Sequence, residues 1–205
     1  MTPKRPTCET CRYPANTCIC DHVSPVDHDL NLIVLQHPKE VDNRKNTVCL
    51  LTLASRNCTV VPGESEQDFI AVKQQVEENP EIFALLYPSK NAQTISSTQP
   101  GQVKHLILID GTWKKSRKIL FANPWLQDIP NLVLEEAVGS HYYIRKRHHV
   151  GGLSTIEAAA YALQKLEGCS TDSFLKILDG FQEAFTRHMP HHVTRRYDTD
   201  IDPTS

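Results

Sequence analysis

Five short apolar runs constrain this chain most. They are "LNLIVLQ" (residues 30–36), "CTVVPG" (58–63), "EIFALLYPS" (81–89), "HLILID" (105–110) and "NLVLEE" (131–136). They read as continuous runs, the pattern of strands covered on both faces. Helical stretches separate or follow them. "NTVCLLTLAS" (46–55) has enough apolar residues to pack on a sheet. "SEQDFIAVKQQVEENP" (65–80) sets Phe69, Val72 and Val76 on one face, with Ser65 and Asp68 as starting caps. "WKKSRKILFANP" (113–124) stops near Asn123-Pro124. "STIEAAAYALQKLEG" (154–168) opens on a Ser154/Glu157 capping box and closes on Gly168, and residues 170–189 form a last amphipathic helix. Residues 92–102 read as a polar loop and 137–152 as a long irregular segment. This alternation predicts an α/β fold with a mainly parallel sheet covered by helices. Ligands in such sheets bind beyond the carboxyl ends of the strands, where Asp110 and Tyr87-Pro88-Ser89 fall.

Residues 1–28 follow another rule. They are rich in Cys, Pro, Asp and His and have little apolar periodicity, so something other than a core must hold them. The expected organisation is an N-terminal module (1–28), a main domain (29–197) and a flexible tail (198–205). Four of the seven cysteines crowd into the module as Cys8-x2-Cys11-x6-Cys18-x-Cys20. Four thiolates in that span can close a tetrahedral zinc site that supplies folding energy. The Cys-x-Cys half is tighter than in a standard finger, so His22 or His28 could replace one ligand. Free or disulfide-linked cysteines, or an iron–sulfur cluster, are the competing readings. Cys49, Cys58 and Cys169 lie in apolar stretches and are expected to be inert core residues.

With a formal net charge of −2, no global field attracts nucleic acid, so any such attraction must be local. No apolar run approaches the roughly 20 residues that span a bilayer, and the start "MTPKRPTCETC" lacks the apolar core of a signal peptide. The expectation is a soluble, cytoplasmic protein without a membrane partner.

One strand ends in an acid: "LILIDGTWKKSRK" (106–118) delivers Asp110, a tight turn and Trp113, then four cations in five residues. An acid on rigid backbone can be a general base or bind a cation. It can equally cap the next helix. Trp113 can stack on a base or simply pack. Lys114, Lys115, Arg117 and Lys118 can meet phosphates or form a solvated face. The Asp-x-Asp-Gly-Thr motif of haloacid-dehalogenase-type phosphatases is not matched, because Leu108 stands where the nucleophile would be. No phosphate-binding glycine loop is present. A second cationic stretch, "YYIRKRHHVGG" (142–152), sets aromatics beside Arg145, Lys146 and Arg147, which fits nucleic-acid contact better than a generic face.

The cysteine cluster, "LQHPKE…NT" (35–47), "YPS" (87–89), "DGTW" (110–113) and "YIRKR…LSTIEA" (143–158) together resemble the DTW-domain family, in the family's order and over most of the chain. The resemblance implies a SPOUT-like catalytic domain with a C-terminal trefoil knot. It implies an enzyme that moves the 3-amino-3-carboxypropyl group of S-adenosylmethionine to N3 of a tRNA uridine, in the variable loop, releasing 5′-methylthioadenosine. Asp110 would be the catalytic base. The S-adenosylmethionine pocket would comprise Leu86, Tyr87, Pro88, Ser89, Asp110, Gly111, Thr112, Trp113, Ile144, Arg145, Leu153, Ser154 and Thr155. Arg145 or Arg117 would grip its carboxylate. RNA would meet His37, Lys114, Arg117, Lys118, Arg145, Lys146 and Arg147. Zinc would be structural, on Cys8, Cys11, Cys18 and Cys20, and the protein a monomer or homodimer. Rival readings are an S-adenosylmethionine-dependent RNA methyltransferase on the same scaffold and a non-catalytic zinc-dependent RNA-binding protein.

Overall fold

The computed structural model describes residues 6–135, 140–144 and 152–187. Among them, six strands form one sheet: β1 (Asn31–Gln36), β2 (Cys58–Pro62), β3 (Phe83–Leu86), β4 (Gln93–Thr94), β5 (His105–Asp110) and β6 (Asn131–Val133). The order is β2-β1-β5-β3-β6-β4, and every pairing is parallel. The α-helices are α1 (Pro38–Val41), α2 (Val48–Ala54), α3 (Ile70–Glu78), α4 (Trp113–Ala122), α5 (Thr155–Glu167) and α6 (Asp172–Thr186). The α/β class and parallel sheet expected from the apolar runs are therefore present. No helix among the described residues is long and apolar enough to cross a membrane.

Successive side chains of a strand point to opposite faces, and the core divides accordingly. Leu32, Val34, Leu106 and Leu108 pack with α2, α5 and α6, including Leu51, Ile156, Leu163, Ile177 and Phe181. Ile33, Leu35, Leu85 and Ile107 pack on the other face with Val72, Val76, Ile119 and Trp125. Each fully buried large apolar side chain contributes about 1.5–3 kcal/mol relative to exposure. The central strands β1, β3 and β5 are continuous and apolar because both their faces are covered, whereas the edge strands β2 and β4 are partly or fully exposed.

The N-terminal module docks into this core rather than standing apart. Ile19 is fully buried, and with Cys11 it joins the α2/α5/α6 cluster. The Tyr13 ring lies 5.5 Å from that of Phe181, and its hydroxyl is 2.9 Å from Cys49 Sγ. His22, on the 3-10 turn Cys20–His22, lies over Gly180 of α6. A Cβ at position 180 would sit 2.2 Å from the His22 ring, so only glycine permits the approach.

Local signals held where local physics sufficed. Ser154 and Glu157 form the capping box of α5, and Gly168 ends it in the left-handed conformation at φ 72°. Several expectations need correction. The third helix begins at Ile70 rather than residue 65. The Asp68 carboxylate accepts from the backbone N–H groups of Glu64 and Ser65 and from the Ser65 hydroxyl, folding that stretch into turns. The polar loop at 92–102 contains the edge strand β4 and a fully buried Ile95. Cys49 is exposed, and Cys58 and Cys169 are half-buried, so none is a fully enclosed core residue. Burial still pushes the Cys58 thiol up to about 12.

Candidate functional site

Asp110 is the last residue of β5 and lies in register with Gln36, the last residue of β1. It is only 2% exposed. It does not cap the following helix. The cap position of α4 is Thr112, and the Asp110 carboxylate reaches partners on the α2/α5 side instead. Oδ2 accepts from Asn46 Nδ2 at 2.6 Å and from Gln36 Nε2 at 3.1 Å. Oδ1 accepts from the Thr155 hydroxyl at 2.7 Å. Asn46 is oriented by its other bonds: its Oδ1 accepts from the Val48 N–H at 2.8 Å, at the start of α2, and from Gln36 at 3.3 Å. One carboxylate therefore ties together the ends of two strands and the starts of two helices. Thr155 is half-buried and is the member of this group that approaches solvent.

The "QHPKE" stretch sits beside it. The His37 N–H donates to the Asp110 carbonyl at 3.0 Å. His37 Nδ1 accepts from the Lys39 N–H at 3.1 Å. That leaves Nε2 to carry the proton toward Glu64 Oε2, 2.8 Å away. The ring is buried with both nitrogens engaged, and His37 is the cap residue of α1. Glu40, 1% exposed, takes Lys115 at 2.7 Å, and Glu64 takes Lys118 at 2.6 Å. Lys118 first, then His37, holds the Glu64 carboxyl below its ordinary range. Two of the four cations after Trp113 thus clamp α4 to α1 and to the turn after β2, while Lys114 and Arg117 are exposed.

Leu86 to Ser89 leave the end of β3, next to β5 in the sheet, so this stretch and Gly111–Thr112–Trp113 emerge side by side. The rings of Tyr87 and Trp113 meet edge to face, 6.2 Å apart. Ser154 is buried with its hydroxyl on Glu157, and the Ile144 side chain is fully buried in the core. Leu153 is half-buried at the approach to α5. Arg145, Lys146 and Arg147 lie outside the described residues. The segment delivering them is firmly held: Glu157 accepts from Ser140 and His141, Gln182 brackets His141 and Tyr143, and the Tyr142 hydroxyl donates to the Lys45 carbonyl at 2.6 Å. Sequence reading missed Glu157 and Gln182 as clamps; two uncharged-looking core positions carrying Glu and Gln were the available signal.

The four module cysteines converge, with all Sγ atoms within 4.8 Å of one another. Cys8 and Cys20 are 3.5 Å apart, Cys11 and Cys18 3.8 Å. A tetrahedral ion with metal–sulfur bonds of about 2.3 Å needs sulfurs roughly 3.8 Å apart, so the donor set fits. Backbone N–H groups of Cys11 and Thr10 bring the Cys8 thiol down to about 6, whereas the neighbouring Cys18 and Cys8 sulfurs push the Cys20 thiol up to about 12. Neither His22 nor His28 joins the cluster; His28 bonds Ser55 at 2.7 Å instead.

A parallel sheet with polar groups gathered at its carboxyl edge is the frame of an α/β ligand-binding domain. More narrowly, the chain belongs to the DTW domain family, whose model matches residues 5–189. It is similar to tRNA-uridine aminocarboxypropyltransferase 2 of Mus musculus, 31% identical over 186 residues, covering 85% of this chain and 62% of the relative. The like-named protein of Drosophila melanogaster is 30% identical over 171 residues, covering 80% and 68%. tRNA-uridine aminocarboxypropyltransferase A of Arabidopsis thaliana is 26% identical over 231 residues, covering 91% and 84%. The chain spans about three-fifths of the length of the mouse protein. No solved structure matches it.

Proposed function

We propose that this protein transfers the 3-amino-3-carboxypropyl group of S-adenosylmethionine to N3 of a uridine in tRNA, in the variable loop, releasing 5′-methylthioadenosine. The observation that carries the reading is the buried Asp110, held at a strand end by Gln36, Asn46 and Thr155. The names of the similar proteins support the same chemistry.

The reaction joins uridine N3 to the methionine γ-carbon as the Cγ–S bond breaks. The sulfonium charge is lost with the neutral thioether, and the N3 proton must leave. Asp110 accepts that proton, and Thr155 relays it: its hydroxyl passes a proton to Oδ1 and takes the one from N3. Fixed donors at Oδ2 keep the carboxylate from turning away. Leu86 to Ser89, Gly111 to Trp113, Ile144 and Leu153 to Thr155 frame the pocket, and Arg145 grips the substrate carboxylate bidentately. Because the sulfonium is already activated, positioning supplies most of the acceleration. Lys114, Arg117, Arg145, Lys146 and Arg147 meet the RNA backbone. Cys8, Cys11, Cys18 and Cys20 hold a structural zinc ion that secures the module. The trefoil knot belongs to this reading as the fold that the family resemblance implies.

The test is incubation of unmodified tRNA with S-adenosylmethionine, followed by nucleoside and small-molecule mass spectrometry. 3-(3-amino-3-carboxypropyl)uridine with methylthioadenosine is the expected result. S-adenosylhomocysteine with a methylated nucleoside would replace the reading by a methyltransferase. Binding without either product would leave only an RNA-binding protein.

A further inference from the structure

We propose that the outward face of α4 is a stacking track for a single-stranded stretch of the RNA substrate; the inference rests on the function proposed above. Trp113, Arg117 and Phe121 are spaced four residues apart, so they line one side of the helix over about 12 Å. Ile119 is buried on the opposite side and Ser116 is buried at the flank. Phe121 is 69% exposed and Trp113 45%. Phe121 is thus largely surplus to the core. The Arg117 guanidinium lies over the Phe121 ring at 5.8 Å, and Tyr87 flanks Trp113 at the other end. Flat rings and a flat cation alternate along the track, the surface on which unpaired bases stack.

Charge favours the same occupant. Residues 113–122 contain four cations and no acid, and the turn 87–92 adds Lys90. Lys115 and Lys118 reach Glu40 and Glu64, which anchors the helix and leaves Lys114 and Arg117 along the exposed side. At roughly 3.4 Å per nucleotide the track has room for about three. It begins at the turn after Asp110, so it would receive nucleotides adjoining the target uridine. A duplex keeps its base faces covered and cannot use such rings, which selects unpaired RNA.

The full chain tests this. Trp125 is the second of two tryptophans, so Trp125→Phe leaves Trp113 as the only indole emitter. Titration with tRNA should quench it. Phe121→Ala and Arg117→Ala should each weaken tRNA binding roughly ten-fold. An oligonucleotide with abasic sites beside the uridine should lose affinity for the wild type but little more for Phe121→Ala. Undiminished tRNA binding by Phe121→Ala overturns the inference alone, as does a dimer in sedimentation that Phe121→Ala dissociates, because the face would then belong to a second copy. A wild-type chain that binds no tRNA overturns this inference and the functional reading together.

Discussion

Replacing Asp110 by alanine removes the common acceptor of three donors, two buried on Gln36 and Asn46 and one half-buried on Thr155. Hydrogen bonds to a charged group contribute about 1.5–3 kcal/mol each. The three do not add simply, because Gln36 and Asn46 also touch each other at 3.3 Å. Thr155 can turn its hydroxyl elsewhere, whereas the two amides lose an acceptor at a buried strand end. The expected net loss is about 3–5 kcal/mol. With a urea dependence of about 2 kcal/mol per molar, the midpoint should fall by roughly 2 M. Asp110→Asn keeps the shape and one acceptor, and the Thr155 hydroxyl can accept from the new amide. Its loss should be about 1–2 kcal/mol. Urea unfolding and tRNA modification measured on the same preparations separate the roles. An alanine variant whose unfolding curve overlays the wild type refutes the tie-point described above. An asparagine variant that is folded and fully active refutes the carboxylate as proton acceptor.

Thr155→Val keeps volume but removes the hydroxyl between Asp110 and the open side of the site. Transfer should slow by about 10²-fold, in the range of general-base steps, and Thr155→Ser should restore most of it; single-turnover assays decide. Gly180→Ala forces the His22 ring away from α6, with an expected cost of about 1–3 kcal/mol. Adding His22→Ala should recover part of that loss in thermal unfolding, and a strictly additive double variant would sink the steric account. Removing metal with a chelator, or changing Cys8 to Ser, should lower the melting temperature of the whole chain, since Ile19 and Cys11 sit in the main core. Metal analysis should return about one zinc per chain, and an unchanged melting curve after full metal removal would contradict the docked module.

How much was legible depends on how far apart the interacting residues lie in the chain. The parallel sheet, the capping box at Ser154 and Glu157, the αL stop at Gly168 and the Cys8–Cys20 spacing are local facts. Apolar continuity reports burial on both faces, a cap needs only its own first turn, and four thiols within thirteen residues can hardly avoid meeting. Asp110 could be singled out as an acid closing an apolar strand, and "QHPKE…NT" as a motif near it. Nothing in the chain order says that Gln36, 74 residues away, and Thr155, 45 residues away, share that acid. Those neighbours arise from which strand β5 lies beside and which helix starts above it. The same holds for the cations. Lys114, Lys115, Arg117 and Lys118 are alike in sequence, yet Glu40 and Glu64 claim two of them and leave Arg117 over Phe121. Composition and spacing thus determined the elements and the candidate chemistry. Packing of distant elements decided which groups are held, which are buried and which face outward, because only tertiary contact sets the surroundings of a side chain.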